Sequence, residues 1–361
     1  MFSATARGVF AAIIAAGLSA FPLARAYAAP VAGVSNTLAR LAIELPSSAM
    51  ATAAVRGPLE QLAREKCDQV AILNLAKALD QAGYRREAAV AEVNFSSQCD
   101  GYPDALRDAV NILLKLSDFT TAENVASNLI KLEPYSDNGY FLRALARDGN
   151  KSPKSAIDDY ITALELFGNK DHISSVSYYK MARDYEKLGQ FCDAMLPIER
   201  WVALDPSQHD TSQSRAMLAD YAAKGGCAAA TSGGTETFPL PRHGRVVEVP
   251  VTVNHTSGTL ILDTGASFVT LKDSFAKKAG IDLDQNSAVR LHTANGVVAG
   301  KRGRASTIQL RSLKAGGVPV VVEADSAAGY HADGLLGLSF LSRFNVTIDA
   351  HTVRIATRKP R

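Results

Sequence analysis

Two rhythms divide the chain. From about Leu62 to Lys224, apolar residues recur three and four positions apart among frequent Ala, Leu, Glu, Lys and Arg, the period of helices that bury one face. Beyond residue 244 the pattern shortens to strands. Thr259-Leu260-Ile261-Leu262 is a compact apolar run, and Asn345-Val346-Thr347-Ile348 and Val353-Arg354-Ile355 are two more, with Asp349 as a turn residue between them. His292-Thr293-Ala294-Asn295-Gly296-Val297-Val298 sets Asn-Gly between alternating residues, a hairpin signal. Ser257-Gly258 reads as another hairpin turn. Ala228 to His243, with Ser232-Gly233-Gly234 and Pro239-Leu240-Pro241, has the composition of a linker. The expected organisation is a leader over 1–28, an N-terminal segment over 29–60, a helical domain over 61–227, a linker over 228–243 and a β domain over 244–361. The fold class is multidomain α and β.

The helical region repeats. Ala88, Ala122, Ala156 and Ala194 each open a second helix shortly after a turn, at spacings of 34, 34 and 38 residues. Three turns look alike: Gln81-Ala82-Gly83-Tyr84, Leu116-Ser117-Asp118-Phe119 and Leu188-Gly189-Gln190-Phe191. Two second helices end alike, in Leu132-Glu133-Pro134 and Leu204-Asp205-Pro206. A small residue at the crossing lets two helices approach, and Pro stops the second. This resembles the tetratricopeptide repeat, without its full Trp-Leu-Gly-Tyr signature, and implies an all-α solenoid able to bind a protein partner. Tyr178, Tyr179, Tyr185 and Trp201 stand at helical spacing and read as core rather than as an aromatic groove.

Asp263 is the candidate for chemistry. The strand run ends on Asp263-Thr264-Gly265-Ala266-Ser267. A buried carboxylate is costly unless hydrogen-bonded or sharing a proton, Gly265 permits close backbone approach, and Thr264 and Ser267 offer hydroxyls to the carboxylate. About seventy residues on comes Asp333-Gly334-Leu335-Leu336-Gly337, then Leu338 to Phe344 as a short helix. These motifs resemble the retroviral-type (retropepsin-like) aspartic proteases over roughly residues 240–361, in the expected order. Ser267 departs from the Asp of the viral enzymes and is more like the pepsin branch. The resemblance implies an all-β acid-protease domain with Asp263, Thr264 and Gly265 as the catalytic turn. Ala266 and Ser267 would border substrate, and Thr293, Ala294, Asn295 and Gly296 would form a flap over it. Leu335, Leu336 and Gly337 would back the turn. His292 reads as a solvent-facing strand residue.

Aspartic proteolysis needs two carboxylates about one water apart, sharing a proton. The chain carries one Asp-Thr-Gly, and its β domain is half the size of a two-lobed enzyme. The second carboxylate is therefore expected from another copy, in a homodimer, with a weak interface and a largely monomeric free enzyme as the alternative. The competing reading is a non-catalytic envelope scaffold, with repeats that bind a partner and a protease-like domain that only dimerises.

The start fixes the expected compartment. Arg7, the apolar stretch Val9 to Phe21 and Ala26-Tyr27-Ala28 make a secretory signal with a cleavage site, although the same stretch could stay on as an anchor. A bacterial periplasm, or secretion, is expected. In that oxidising setting four cysteines imply two disulfides. Helical-hairpin geometry selects Cys67–Cys99 and Cys192–Cys227. The net charge of +3 is too small to argue for nucleic acid or a membrane surface and no basic stripe with interleaved aromatics stands out, so no nucleic-acid partner and a peptide or protein substrate are expected. The seven scattered His residues and the absence of nucleotide fingerprints argue for no metal and no cofactor.

Overall fold

The computed structural model describes residues 33–166, 174–227, 231–241, 246–293 and 296–357. The expected signal, Met1 to Ala29, and flap residues Ala294 and Asn295 lie outside them.

Helices come first: α1 (Val34–Leu41), α2 (Ser47–Met50), α3 (Ala53–Arg64), α4 (Gln69–Gln81), α5 (Arg85–Gln98), α6 (Pro103–Lys115) and α7 (Phe119–Leu132). Then follow α8 (Asp137–Gly149), α9 (Pro153–Leu166), α10 (Ser175–Lys187), α11 (Phe191–Leu204), α12 (Pro206–His209) and α13 (Ser212–Gly225). The four hairpin turns share one device. Gly83, Ser117, Lys151 and Gly189 all take positive φ, at 90, 57, 58 and 70°. The next N–H in each case reaches back over the turn: Tyr84 to Leu79 O, Asp118 to Leu113 O, Ser152 to Arg147 O and Gln190 to Tyr185 O, at 2.8–3.0 Å. That left-handed cap satisfies carbonyls a helix end would otherwise leave open. The turn at Lys151 escapes the sequence pattern because a lysine stands where glycine or serine is usual. Ala88, Ala122, Ala156 and Ala194 are fully buried at the crossings.

Cys67 is bonded to Cys99 and Cys192 to Cys227, the pairs selected by hairpin geometry. Tyr178 and Tyr185 are buried, with Tyr179 and Trp201 packed against the same core. The helical layer starts earlier than expected, since Val34, Leu41, Val55 and Leu59 join the core of α4–α7.

Strands follow: β1 (Thr231–Ser232), β2 (Thr235–Pro239), β3 (Glu248–Val253), β4 (Thr256–Leu262), β5 (Val269–Lys272), then α14 (Asp273–Lys278) and β6 (Asp282–Leu283). The rest are β7 (Val289–Thr293), β8 (Gly296–Leu310), β9 (Leu313–Glu323), β10 (Gly334–Leu336), α15 (Leu338–Leu341), β11 (Phe344–Ile348) and β12 (Thr352–Thr357). The main sheet runs β1-β9-β5-β10-β4-β3-β8-β6, and β8 also pairs with β9, which closes it on itself. A second sheet is ordered β11-β12-β2.

Three expectations are corrected. The linker stretch 228–243 holds β1 and β2, and β2 pairs with β12 along its length while Phe238 enters the core. Its Pro239 sits at the strand end, where a missing N–H is tolerated. Ser257 and Gly258 lie inside β4. The hairpin turn falls at Asn254 and His255, with Asn254 at φ 53°, and Val253 faces Thr256. Gly258 answers a packing need instead, because a Cβ there would meet the Phe275 ring at 2.5 Å. The short helix is a single turn ending at Leu341, and Phe344 opens β11.

Candidate active site

The apolar run of β4 ends at Leu262, and Asp263 is the first residue beyond it. β10 runs parallel to β4, Leu336 beside Leu262, and antiparallel to β5, Gly334 beside Leu271. The turn 263–268 is thus slung between two strands that share β10 as their neighbour. Asp263 N–H donates to Leu336 O at 3.2 Å. Its Oδ1 accepts from Gly265 N at 2.8 Å and Ala266 N at 3.2 Å. The carboxylate is therefore held by backbone amides.

Gly337 has no room for a side chain. A Cβ there would stand 2.1 Å from Phe268 O and 2.7 Å from Ala266 O. This close approach lets Leu338 N–H bond Ala266 O at 2.8 Å and Ser339 N–H bond Ser267 O at 3.1 Å. Gly334 likewise would collide with Thr270 O at 2.1 Å. Leu335, Leu336 and Gly337 therefore stand directly behind the turn.

Asp263 is only half-buried, and Thr264 and Gly265 are exposed. The expected burial fails in the single chain because the hydrophobic run stops one residue short. The hydroxyl of Ser267 does not hold the Asp263 carboxylate either. It donates to Glu165 Oε1 on α9, where Arg200 Nη1 also bonds at 2.9 Å. Thr293 and Gly296 face each other across the two-residue connection of β7 and β8, with Thr293 Oγ1 donating to Gly296 O at 2.8 Å. His292 is exposed.

Sequence reasoning missed three residues. Ser339, fully buried, accepts from Val269 N at 2.8 Å and donates to Pro319 O at 2.7 Å, tying β5 to β9 behind the turn. Asp333 Oδ2 accepts from Thr259 N at 2.9 Å, fixing the start of β10 against β4. Glu165 lies 102 residues from its partner, and no local signal announces it. Among the described residues no group of three or more His, Cys, Asp or Glu is arranged to hold a metal ion.

Residues 249–343, from β3 through the turn, the hairpin and α15, match the model of the gag-polyprotein putative aspartyl protease family. The C-terminal domain is retropepsin-like. A retropepsin-like aspartic protease from Rickettsia conorii is a similar solved structure, with 25% identity over 34% of this chain and 98% of its own, and a TM-score of 0.28. MamA from Desulfovibrio magneticus, residue 41 to its end, shares 17% identity over 50% of this chain and 99% of its own, with a TM-score of 0.37. At these scores neither likeness bears on what the chain does. No curated protein matches it. In the retropepsin-like domain, the matched region contains the carboxylate, the backing strand and the hairpin together.

The helical layer packs against this domain. Phe268, Val289, Leu291 and Val321 share a core with Ile157, Tyr160, Ile161 and Tyr185. Arg302 is paired with Asp158, and Arg304 with Asp193, both across the interface. Burial pushes the Asp158 carboxyl up, against the pull of Arg302.

Proposed function

We propose that this protein is an aspartic-type endopeptidase of an oxidising compartment outside the cytoplasm, acting as a homodimer in which two copies of Asp263 meet on a two-fold axis. The observation that carries the reading is the amide cage at the end of β4, which presents one half-exposed carboxylate per chain. Two such groups in close contact cannot both ionise, so one proton is shared. The ionised member takes a proton from water, and that water attacks the scissile carbonyl carbon. The protonated member hydrogen-bonds the carbonyl oxygen as charge develops there. Thr264 and Gly265 shape the turn, Ala266 and Ser267 border the substrate, and the hairpin over Thr293, Ala294, Asn295 and Gly296 covers it. The helical repeats recruit a substrate or protein partner. The family match and the two disulfides support this reading. No described helix is long and apolar enough to cross a membrane.

The test is cleavage of unstructured polypeptides at acidic and neutral pH. Asp263→Asn keeps the shape and removes the base, so pepstatin-sensitive cleavage should fall to background while the melting temperature holds or rises. Excess Asp263→Asn mixed with the unsubstituted protein should poison it through mixed dimers. Substrates left intact at every pH would instead assign the chain to the scaffold reading.

A further inference from the structure

Helix α9 reaches both the hairpin and the carboxylate-bearing turn of the proposed active site. Asp158, Thr162 and Glu165 are four and three residues apart, a spacing that puts them on one helical face. Asp158 accepts from Ser287 Oγ at 3.0 Å, just before the hairpin strand β7. Thr162 Oγ1 accepts the backbone N–H of Arg290, inside that strand, at 3.0 Å. Glu165 accepts the hydroxyl of Ser267, at the far end of the turn that carries Asp263. The stripe therefore spans from flap root to catalytic turn.

The Glu165 end is built for a fixed position. Its side chain is 9% exposed, and Arg200 on α11, 15% exposed, closes the pair. A buried carboxylate held by a guanidinium and a hydroxyl has few other places to go. On the turn side, Ser267 follows Ala266, whose N–H holds Asp263 Oδ1, and precedes Phe268, which is buried among the helices. The near end of the turn is tied to β10 by Asp263 N–H and Leu336 O. The far end has its side-chain anchor outside the retropepsin-like domain.

We propose that Glu165 is a positioning residue, holding through Ser267 the backbone amides that cage the Asp263 carboxylate. The helical domain is then a working part of the active site and not only a recruiting arm. This rests on the endopeptidase reading for its kinetic consequence, but its structural content does not.

The experiment uses the full chain and two readouts. Hydrogen exchange of the peptide over 263–268 reads the order of the turn directly. Glu165→Leu and Ser267→Ala should each speed that exchange about tenfold, the size expected for losing one hydrogen bond to a charged group. Glu165→Gln keeps an acceptor and should restore protection. Asp158→Asn loosens the same interface from the same helix face without touching the turn, so its 263–268 exchange should stay unchanged. In cleavage assays Glu165→Leu should lower kcat about tenfold with KM nearly constant. Unchanged exchange in Glu165→Leu, or equal loosening by Asp158→Asn, overturns the assignment. If the unsubstituted protein cuts nothing, the endopeptidase reading falls while the exchange data still decide the role of Glu165.

Discussion

The two halves of the helical layer are built from the same hairpin and serve different neighbours. In α1–α7 the core is helix against helix, closed by Leu59, Leu75, Phe95 and Leu129. Around α9–α11 the core is shared with four residues of the retropepsin-like domain. Their buried acids differ accordingly. Glu92 in α5 is fully buried with no hydrogen-bond partner on either oxygen. Asp158 and Asp193 are as deeply placed, but each faces an arginine from the β domain. The lesson is that the repeat specifies the hairpin through its small crossing residues and left-handed turns. In α9 and α11, Asp158 and Asp193 carry the arginine contacts to the β domain, whereas Asp159, also buried in α9, pairs with Arg143 and Arg147 of α8.

Removing the acid at the shared interface should have the largest effect on stability. Asp193→Leu removes the carboxylate that pairs with Arg304 and also faces Arg343, itself 10% exposed. The expected loss is about 4 kcal/mol, read by chemical denaturation. A loss as small as that from an exposed surface pair would erase the distinction between the halves.

The disulfides sharpen it next. They close loops of nearly equal length, with separations of 32 and 35 residues, so deleting either pair to alanine should cost about 3.5 kcal/mol on the chain-entropy model. Only loss of Cys192–Cys227, which ties α11 to α13 beside the shared core, should also slow cleavage. Equal slowing from loss of Cys67–Cys99 would break the comparison.

Glu92 tests the same comparison through pH. Burial, aided by the neighbouring Asp108 carboxylate, pushes its carboxyl up to about 10. The folded state therefore keeps a proton that the unfolded chain releases above its ordinary value of 4.5. Stability from this group is full below pH 4.5 and declines as pH rises toward 10. Glu92→Gln removes that slope, so it should match the parent at pH 4 and exceed it increasingly as the pH rises to 8. Melting curves across that range check the sign.

Much of this was legible in the chain. Asp263 with its turn, Leu335-Leu336-Gly337, the hairpin pairs and the cysteine pairing are local patterns or depend on one hairpin's geometry. What escaped depends on distant partners. Thr235 to Pro239 looks like linker beside Ser-Gly-Gly and two prolines, and becomes a strand only because Thr352 to Ala356 lies alongside. Gly258 is explained by the Phe275 ring, not by a turn. The hydroxyl of Ser267 was expected to serve the carboxylate four residues back, and a glutamate from another domain took it.

The placement of β2 bears on how this molecule can be cut apart. A fragment begun at residue 244 would contain every motif of the acid-protease resemblance and still be missing two strands, β1 and β2. Its C-terminal strand β12 would show a bare row of backbone donors and acceptors, and the site of Phe238, 3% exposed in the whole protein, would become a hole. Such an edge recruits other chains. Any fragment of the retropepsin-like domain should therefore begin ahead of Thr231, inside what looks like dispensable tether.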